Sequence, residues 1–226
     1  MALILTIDTA LERGSVGLFN NADSLGTFVN DSQKDHAGFV QSAIDQLVKD
    51  NNTPLEMIDA IAVVNGPGSY TGLRVGLATA KGLCYALEKK LILLNTLDIM
   101  AIASIAYHGE KDYYYAPMID ARREDVFTGV YNNQGKIVME QAALTLNKEI
   151  FLPFTSEKKL VLSGSGAIKA AKTLSEEDII VWDSSYTPED INILAQKKAA
   201  KEDYSDVAYS EPNYLKAFYT TAKTIQ

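Results

Sequence analysis

Residues 7–21 read IDTALERGSVGLFNN and residues 119–133 read IDARREDVFTGVYNN. At this offset of 112 the two stretches agree at Ile, Asp, Glu, Gly, Asn and Asn, six of fifteen positions. Leu18 over Val130 and Phe19 over Tyr131 are conservative pairs. Around the first stretch, ALILTIDT, GSVGLFN and SLGTFVN are short apolar runs at turn-like spacing, which predicts three consecutive strands. A helical period follows in HAGFVQSAIDQLVKD. Then come IDAIAVV as a buried strand, TGLRVGLATAKGLCYALEK as a helix, LILL as a strand and LDIMAIASIAY as a helix. Around the second stretch YYYAPMID, DVFTGVYN and KIVMEQAAL read as strands. A poorly defined segment covers 147–156, and KLVLSG, AIKAAKTL, DIIVW and PEDINILAQKKAAK then read as strand, helix, strand and helix. The same order twice, half a chain apart, is the mark of duplication.

A duplicated βββαβαβα unit predicts an α/β fold of two facing lobes, each on a sheet mixing antiparallel hairpins with parallel strands. The analogy is to actin, Hsp70 and the sugar kinases, with an RNase H-like core. The expected lobes are residues 1–107, carrying a partner-binding face, and a reduced 108–226, whose last helix is free to pack back on the first lobe. In that architecture Asp8 and Asp120 fall where carboxylates would face Mg2+ and phosphate. The plainer reading is that each Asp ends its strand and organises the hairpin turn.

NGPGSYTGLRVG, residues 65–76, invites the reading of a phosphate loop. A P-loop needs Gly-Lys-Ser/Thr, and Gly72 is followed by Leu73 and Arg74. A dinucleotide fingerprint needs one residue fewer between Gly68 and Gly72. What remains is strand, Gly-Pro-Gly turn, Ser69 or Thr71 as N-cap, and a helix start able to hold an anion. Loop geometry accounts for the glycines about as well. An echo, LSGSG from Leu162, places Gly164 and Gly166 between strand and helix in the second half.

Both candidate long helices carry more apolar surface than a surface helix needs. On 36–50 the residues Phe39, Val40, Ala43, Ile44, Leu47 and Val48 spread over half the circumference. On the next helix only Arg74, Lys81, Tyr85 and Glu88 form a polar stripe. Two covers fit equally, a partner or the chain's own core.

Catalytic chemistry is hard to find. The two histidines, His36 and His108, stand in no dyad or metal-ligand spacing, and the single Cys84 allows neither a disulfide nor a thiolate cluster. The formal net charge of −8 argues against direct nucleic-acid binding, since phosphate contacts come from Lys and Arg. The first apolar run stops at Asp8, too short for a signal peptide or a membrane span, so a cytoplasmic protein without membrane contact is expected.

LTIDTA, NGPGSYTGLRVGLATAKGL, IDARREDVFTGVY and the late EPNYL together resemble the TsaB (YeaZ) family of tRNA threonylcarbamoyladenosine (t6A) biosynthesis proteins, from Ile4 to about Leu215. The resemblance implies the two-lobed fold and a subunit without catalysis of its own. Such a subunit pairs with the related transferase TsaD and, with the ATPase TsaE, supports threonylcarbamoyl transfer to ANN-decoding tRNA, which it meets only through the complex. TsaD-like chains carry an N-H-x-x-x-H metal motif after the equivalent helix. Here Thr96 and Met100 stand at the two histidine positions, and neither replaces an imidazole on a metal. The resemblance therefore implies no metal site and weak or no ATP binding by the isolated chain. Asp8, Thr9, Gly66, Gly68, Ser69, Thr71, Asp120, Gly164 and Gly166 would be remnants of a nucleotide site. It also implies a TsaD interface on the first two helices, through His36, Phe39, Val40, Ala43, Ile44, Leu47, Arg74, Lys81 and Tyr85. The same surface would allow a homodimer when the chain is alone. The competing expectation is a phosphotransferase using Asp8 and Asp120 around Mg-ATP. An RNase H-like nuclease would need further carboxylates beside Asp8.

Overall fold

The structure, a computed structural model, describes residues 2–31, 35–109, 111–174 and 177–216. The end of the second predicted lobe, 217–226, lies outside the described residues. Among the described residues ten strands form two five-stranded sheets. The first contains β1 (Leu3–Asp8), β2 (Gly14–Asn20), β3 (Asp23–Asn30), β4 (Ala60–Gly66) and β5 (Lys90–Asn95), in the order β3-β2-β1-β4-β5. The second contains β6 (Tyr114–Asp120), β7 (Asp125–Tyr131), β8 (Ile137–Thr145), β9 (Leu160–Ser163) and β10 (Ile179–Trp182), in the order β8-β7-β6-β9-β10. In each sheet the first strand pairs antiparallel with the second and parallel with the fourth. The duplication read from the sequence is thus a duplication of topology.

The repeat differs in register by one residue. Asp8 pairs with Ser15 across the first hairpin, whereas Asp120 pairs with Val126 across the second. The second turn is one residue shorter, although the sequence alignment runs through it without a gap.

Helices α1 (His36–Asp50), α2 (Tyr70–Leu87) and α3 (Thr96–His108) belong to the first repeat. Their counterparts are α4 (Lys148–Thr155), α5 (Ala167–Ala171) and α6 (Pro188–Ala199). The second repeat is reduced: α5 has 5 residues where α2 has 18. The segment expected to be poorly defined near 147–156 folds as α4. Asn147 caps it by accepting from the Glu149 N–H, and Pro153 lies inside it.

Periodicity explains the layers. β1 and β4 are near-continuous apolar runs because both of their faces are covered. On one face Leu5, Ile7, Ile61 and Val63 pack with Val40, Ile44 and Leu47 of α1 and Leu77, Ala80 and Cys84 of α2. On the other, Ile4, Ala62, Val64, Ile92 and Leu94 meet Leu97, Met100 and Ala103 of α3 and Ile191 and Ala195 of α6. Ile119 of β6 joins that same cluster, so it runs from one sheet to the other. The outer face of the second sheet is covered by Phe151 of α4 and Ala167 and Ala170 of α5. Among the described residues no helix is long and apolar enough to cross a membrane.

Candidate functional site

β1 delivers Asp8 to the mouth between the sheets, but as a buried group, 1% exposed. Its Oδ1 accepts from the Ala10 N–H at 2.8 Å, and its Oδ2 accepts from the Tyr186 hydroxyl, also at 2.8 Å. Tyr186 precedes α6 and arrives from the far end of the chain. Burial raises the Asp8 pKa to about 6, against the lowering effects of the two hydrogen bonds and of nearby His36. The same burial, with Asp8 beside it, pushes the Tyr186 phenol well above its usual range. His36 is buried beneath the hairpin with Nε2 3.2 Å from the Leu11 carbonyl. A side chain on Gly14 would sit 2.8 Å from its Nδ1. Beside Asp8 a cavity of about 50 Å3, lined also by Arg13, Ser15 and Thr187, has room for water but not for a nucleotide.

The glycine loop is packed backbone to backbone against the same hairpin. The Ser69 N–H donates to the Ala10 carbonyl at 2.6 Å. The Ser69 hydroxyl caps α2 by accepting from Gly72, so Thr71, exposed in the first turn, is not the cap. Thr9 donates its hydroxyl to the Gly72 carbonyl at 2.7 Å. A Cβ would lie 2.2 Å from the Ala10 carbonyl oxygen at Gly68, 2.0 Å from that of Thr9 at Gly72, and 2.4 Å from Thr9 Oγ1 at Gly76. Gly66, at φ +119°, makes the exit from β4. Close packing of the loop backbone on the hairpin accounts for Gly68, Gly72 and Gly76, and the Ala10 carbonyl takes the Ser69 N–H at the start of α2.

The second repeat is open where the first is closed. Asp120 is exposed, and its Oδ1 accepts from the Arg122 N–H at 2.8 Å and from Lys169 Nζ at 2.7 Å. Lys169 holds this carboxyl below its usual pKa. The Asp120 N–H donates to Ser165 Oγ between Gly164 and Gly166, so the second Gly-x-Gly turn supports the hairpin. Arg122 and Arg123 stand at φ 67° and 52°, a left-handed pair, and Arg122 lines a cleft of about 300 Å3. That cleft runs between Pro67, Gly68 and Tyr70 of the glycine loop, Arg122 and Phe127 of the second hairpin, and the chain segment at Asn213–Lys216.

The structure corrects part of the interface that the resemblance implies. His36, Val40, Ala43, Ile44 and Leu47 are 5% exposed or less and pack inside the molecule, so they offer no surface. The excess apolar width of α1 is covered by β2 on one flank and α2 on the other. Phe39 is half-buried. Arg74 Nε donates to the Tyr214 hydroxyl at 3.0 Å, and Lys81 Nζ donates to the carbonyls of Ala208 and Ser210, both at 3.0 Å, so the chain itself engages the polar stripe of α2. Tyr85 is 84% exposed. The wheel passed over Ala78, Gly82 and Ala86, which are exposed at four-residue spacing beside Tyr85. Thr96 and Met100, at the positions of the transferase histidines, are buried, with Met100 against Gly164. Among the described residues no group of three or more His, Cys, Asp or Glu is placed to hold a metal ion.

Comparison with known proteins places this arrangement. A family model described as TsaD, tRNA N6-adenosine threonylcarbamoyltransferase, matches residues 24–224. The tRNA threonylcarbamoyladenosine biosynthesis protein TsaB of Bacillus subtilis (strain 168) is 25% identical over 99% of this chain and 98% of its own. The protein of that name from Escherichia coli (strain K12) is 28% identical over 94% of each. The solved structure of YeaZ from Pseudomonas aeruginosa superimposes with a TM-score of 0.79 at 25% identity, over 95% of this chain and 100% of that one. A polyphosphate/ATP-glucomannokinase from Arthrobacter sp. strain KM, at 12% identity and a TM-score of 0.53 over 89% of this chain and 100% of that one, shares the fold alone. With its whole length aligned to these proteins and its hairpin loops built as described, the chain belongs to the TsaD family, among its TsaB (YeaZ) members.

Proposed function

We propose that this chain acts in t6A modification of tRNA as the non-catalytic partner of a TsaD-like transferase, in the cytoplasm, together with a TsaE-like ATPase. It meets tRNA only through that assembly. The names of its full-length relatives support the pathway. The observation that carries the non-catalytic role is the closure of the first hairpin. Tyr186 and the Ala10 N–H occupy both oxygens of Asp8, and the Ala10 carbonyl occupies the Ser69 N–H that would face a phosphate. A carboxylate so enclosed is not available to Mg2+, which disfavours the phosphotransferase reading. The partner face we assign is the exposed side of α2: Ala78, Gly82 and Ala86 are small enough to let another helix approach closely, and Tyr85 offers an aromatic anchor.

The test is reconstitution of the purified chain with its TsaD-like and TsaE-like partners on tRNA. Tyr85→Asp and Ala78→Glu replace exposed residues, so thermal unfolding stays unchanged. Each raises the Kd for the TsaD-like partner by roughly 30-fold or more, the effect of losing about 2 kcal/mol at a hot spot, and modification falls with it. Full modification by variants that no longer pair would overturn the reading. Micromolar Mg-ATP binding by the isolated chain, measured calorimetrically, would revive the phosphotransferase.

A further inference from the structure

After α6 the chain crosses back over both lobes. The Ser205 N–H donates to the Leu91 carbonyl at 2.8 Å, forming an isolated antiparallel bridge to the edge strand β5. Lys81 next reaches the carbonyls of Ala208 and Ser210. Tyr214 stacks on Tyr70 with ring centroids 5.3 Å apart and accepts from Arg74, whose guanidinium lies 3.9 Å over the Tyr70 ring. The Asn213 N–H donates to the Asn65 carbonyl at 2.7 Å, and the Asn213 carbonyl stands 2.7 Å from where a Cβ on Gly66 would be. Finally Lys216 Nζ donates to Asp125 Oδ2 at 2.6 Å, on the second hairpin. Seven residues of helix separate Arg74 from Lys81, a rise of about 10 Å, and the four residues from Ser210 to Tyr214 reach about 13 Å when extended. After a turn at Asp206–Ser210, closed by the Ser210 N–H on the Asp206 carbonyl at 3.1 Å, the segment runs antiparallel along α2.

Two features make this segment more than a tail. It is a wall of the 300 Å3 cleft, contributing Asn213–Lys216, and the other walls are the glycine loop and the Arg122 hairpin. The three stretches NGPGSYTG, IDARRED and EPNYL, far apart in sequence, meet there. Its attachment is mostly polar and at the surface: separate hydrogen bonds at Ser205, Ala208, Ser210, Asn213 and Lys216 and the Tyr214 ring on Tyr70, with Val207 and Leu215 its apolar contacts to the two large cores. Elements held this way occupy the low end of the local-opening scale.

We propose that residues 205–216 are a releasable strap that couples the exposed side of α2 to the Asp120–Asp125 hairpin. Seated, it walls the cleft and fixes the second hairpin against the glycine loop. Released, it frees Arg74, Lys81 and the hairpin together. The effect on a partner rests on the function proposed above; the strap itself does not.

Hydrogen–deuterium exchange of the full chain tests it. Tyr214→Ala, at a half-exposed ring, is expected to speed exchange at 205–213 and at 121–126 together by about tenfold or more, while β8 and α4 keep wild-type rates and report an intact fold. Lys216→Gln cuts only the far anchor and is expected to speed exchange of the Asn213 amide. Acceleration confined to 205–213 would overturn the coupling, and unchanged protection in both variants would overturn the strap. With the TsaD-like protein added, linkage is reciprocal: pairing that favours the seated strap slows exchange at 205–216, and a variant that leaves the strap mostly released pairs more weakly, by at most that factor. Exchange at 205–216 unchanged by the partner would remove the link to it. If the wild-type chain does not pair at all, the function proposed above falls and the exchange results still decide the strap.

Discussion

Asp8 and Asp120 hold the same place in the two repeats and make the same turn, each accepting the N–H two residues on at 2.8 Å. Their surroundings send them opposite ways. Asp8 is sealed by Tyr186, and burial raises its pKa to about 6. Asp120 faces solvent beside Lys169, and its pKa is lowered. The loops opposite them differ in the same sense. Both loops press backbone on their hairpins, but a Cβ at Gly68 would lie 2.2 Å from the Ala10 carbonyl oxygen and one at Gly166 3.0 Å from Met118 Cβ and Val126 Cγ1, the tight position of the second loop being Gly164, 2.6 Å from the Met118 carbonyl oxygen. Duplication thus supplied two turns that open with the same Asp contact, and the elements packed over each decided whether it became a plug or an open rim.

The comparison breaks most severely at Gly72. A methyl there would lie 2.0 Å from the Thr9 carbonyl, a backbone atom with no rotamer to escape into. Gly72→Ala should cost about 3 kcal/mol or more, and Gly166→Ala, whose nearest neighbours lie 3.0 Å away and need give by only a few tenths of an ångström, about 1 kcal/mol. Urea unfolding of the two variants decides it; equal midpoints would mean that the first loop is no tighter than the second.

Much of this was legible in the sequence. The paired IDTA and IDARR stretches, each followed by two further short apolar runs, are enough to predict two sheets of one topology, because strand order follows from hairpins and right-handed crossovers. The one-residue difference in turn length was not legible, since it leaves the identities in line. Nor was the cover on Asp8: Tyr186 lies 178 residues away and belongs to no pattern shared with it. The α1 wheel left its cover open for a related reason. Periodicity measures how wide an apolar face is and says nothing of what covers it, and here β2 and α2 cover it from within.

Asp8 sharpens the comparison through pH. Between pH 3.8, its value when unfolded, and about 6, its value when folded, the native chain holds a proton that the unfolded chain has released. This contribution is fully present below pH 3.8 and is lost as pH rises to about 6. At about 1.4 kcal/mol per unit it amounts to about 3 kcal/mol. Asp8→Asn keeps the acceptor for Ala10 and carries no charge, so its stability should fall less over this window, and at pH 8 it should match or exceed the wild type. A variant less stable than wild type at pH 8 would show that the Asp8 charge is better compensated than burial by Tyr186 and Ala10 implies.

The smallest effect is expected at the open rim. Asp120 has a lowered pKa, so its contribution is present above the unfolded value of 3.8 and is lost only as pH falls through the folded one, the opposite sign to Asp8. Its side chain is 49% exposed, and a solvated pair with Lys169 is worth well under 1 kcal/mol. Asp120→Asn should therefore shift the urea midpoint slightly and leave the pH profile above pH 5 unchanged. Lys169→Met should cost more, about 1 kcal/mol, because Lys169 Nζ also donates to the carbonyls of Arg123 and Asp125 and so holds the left-handed pair of arginines in place. If Asp120→Asn proves the costlier of the two, the carboxylate rather than the lysine organises the second hairpin, and the two repeats are more alike than their burial suggests.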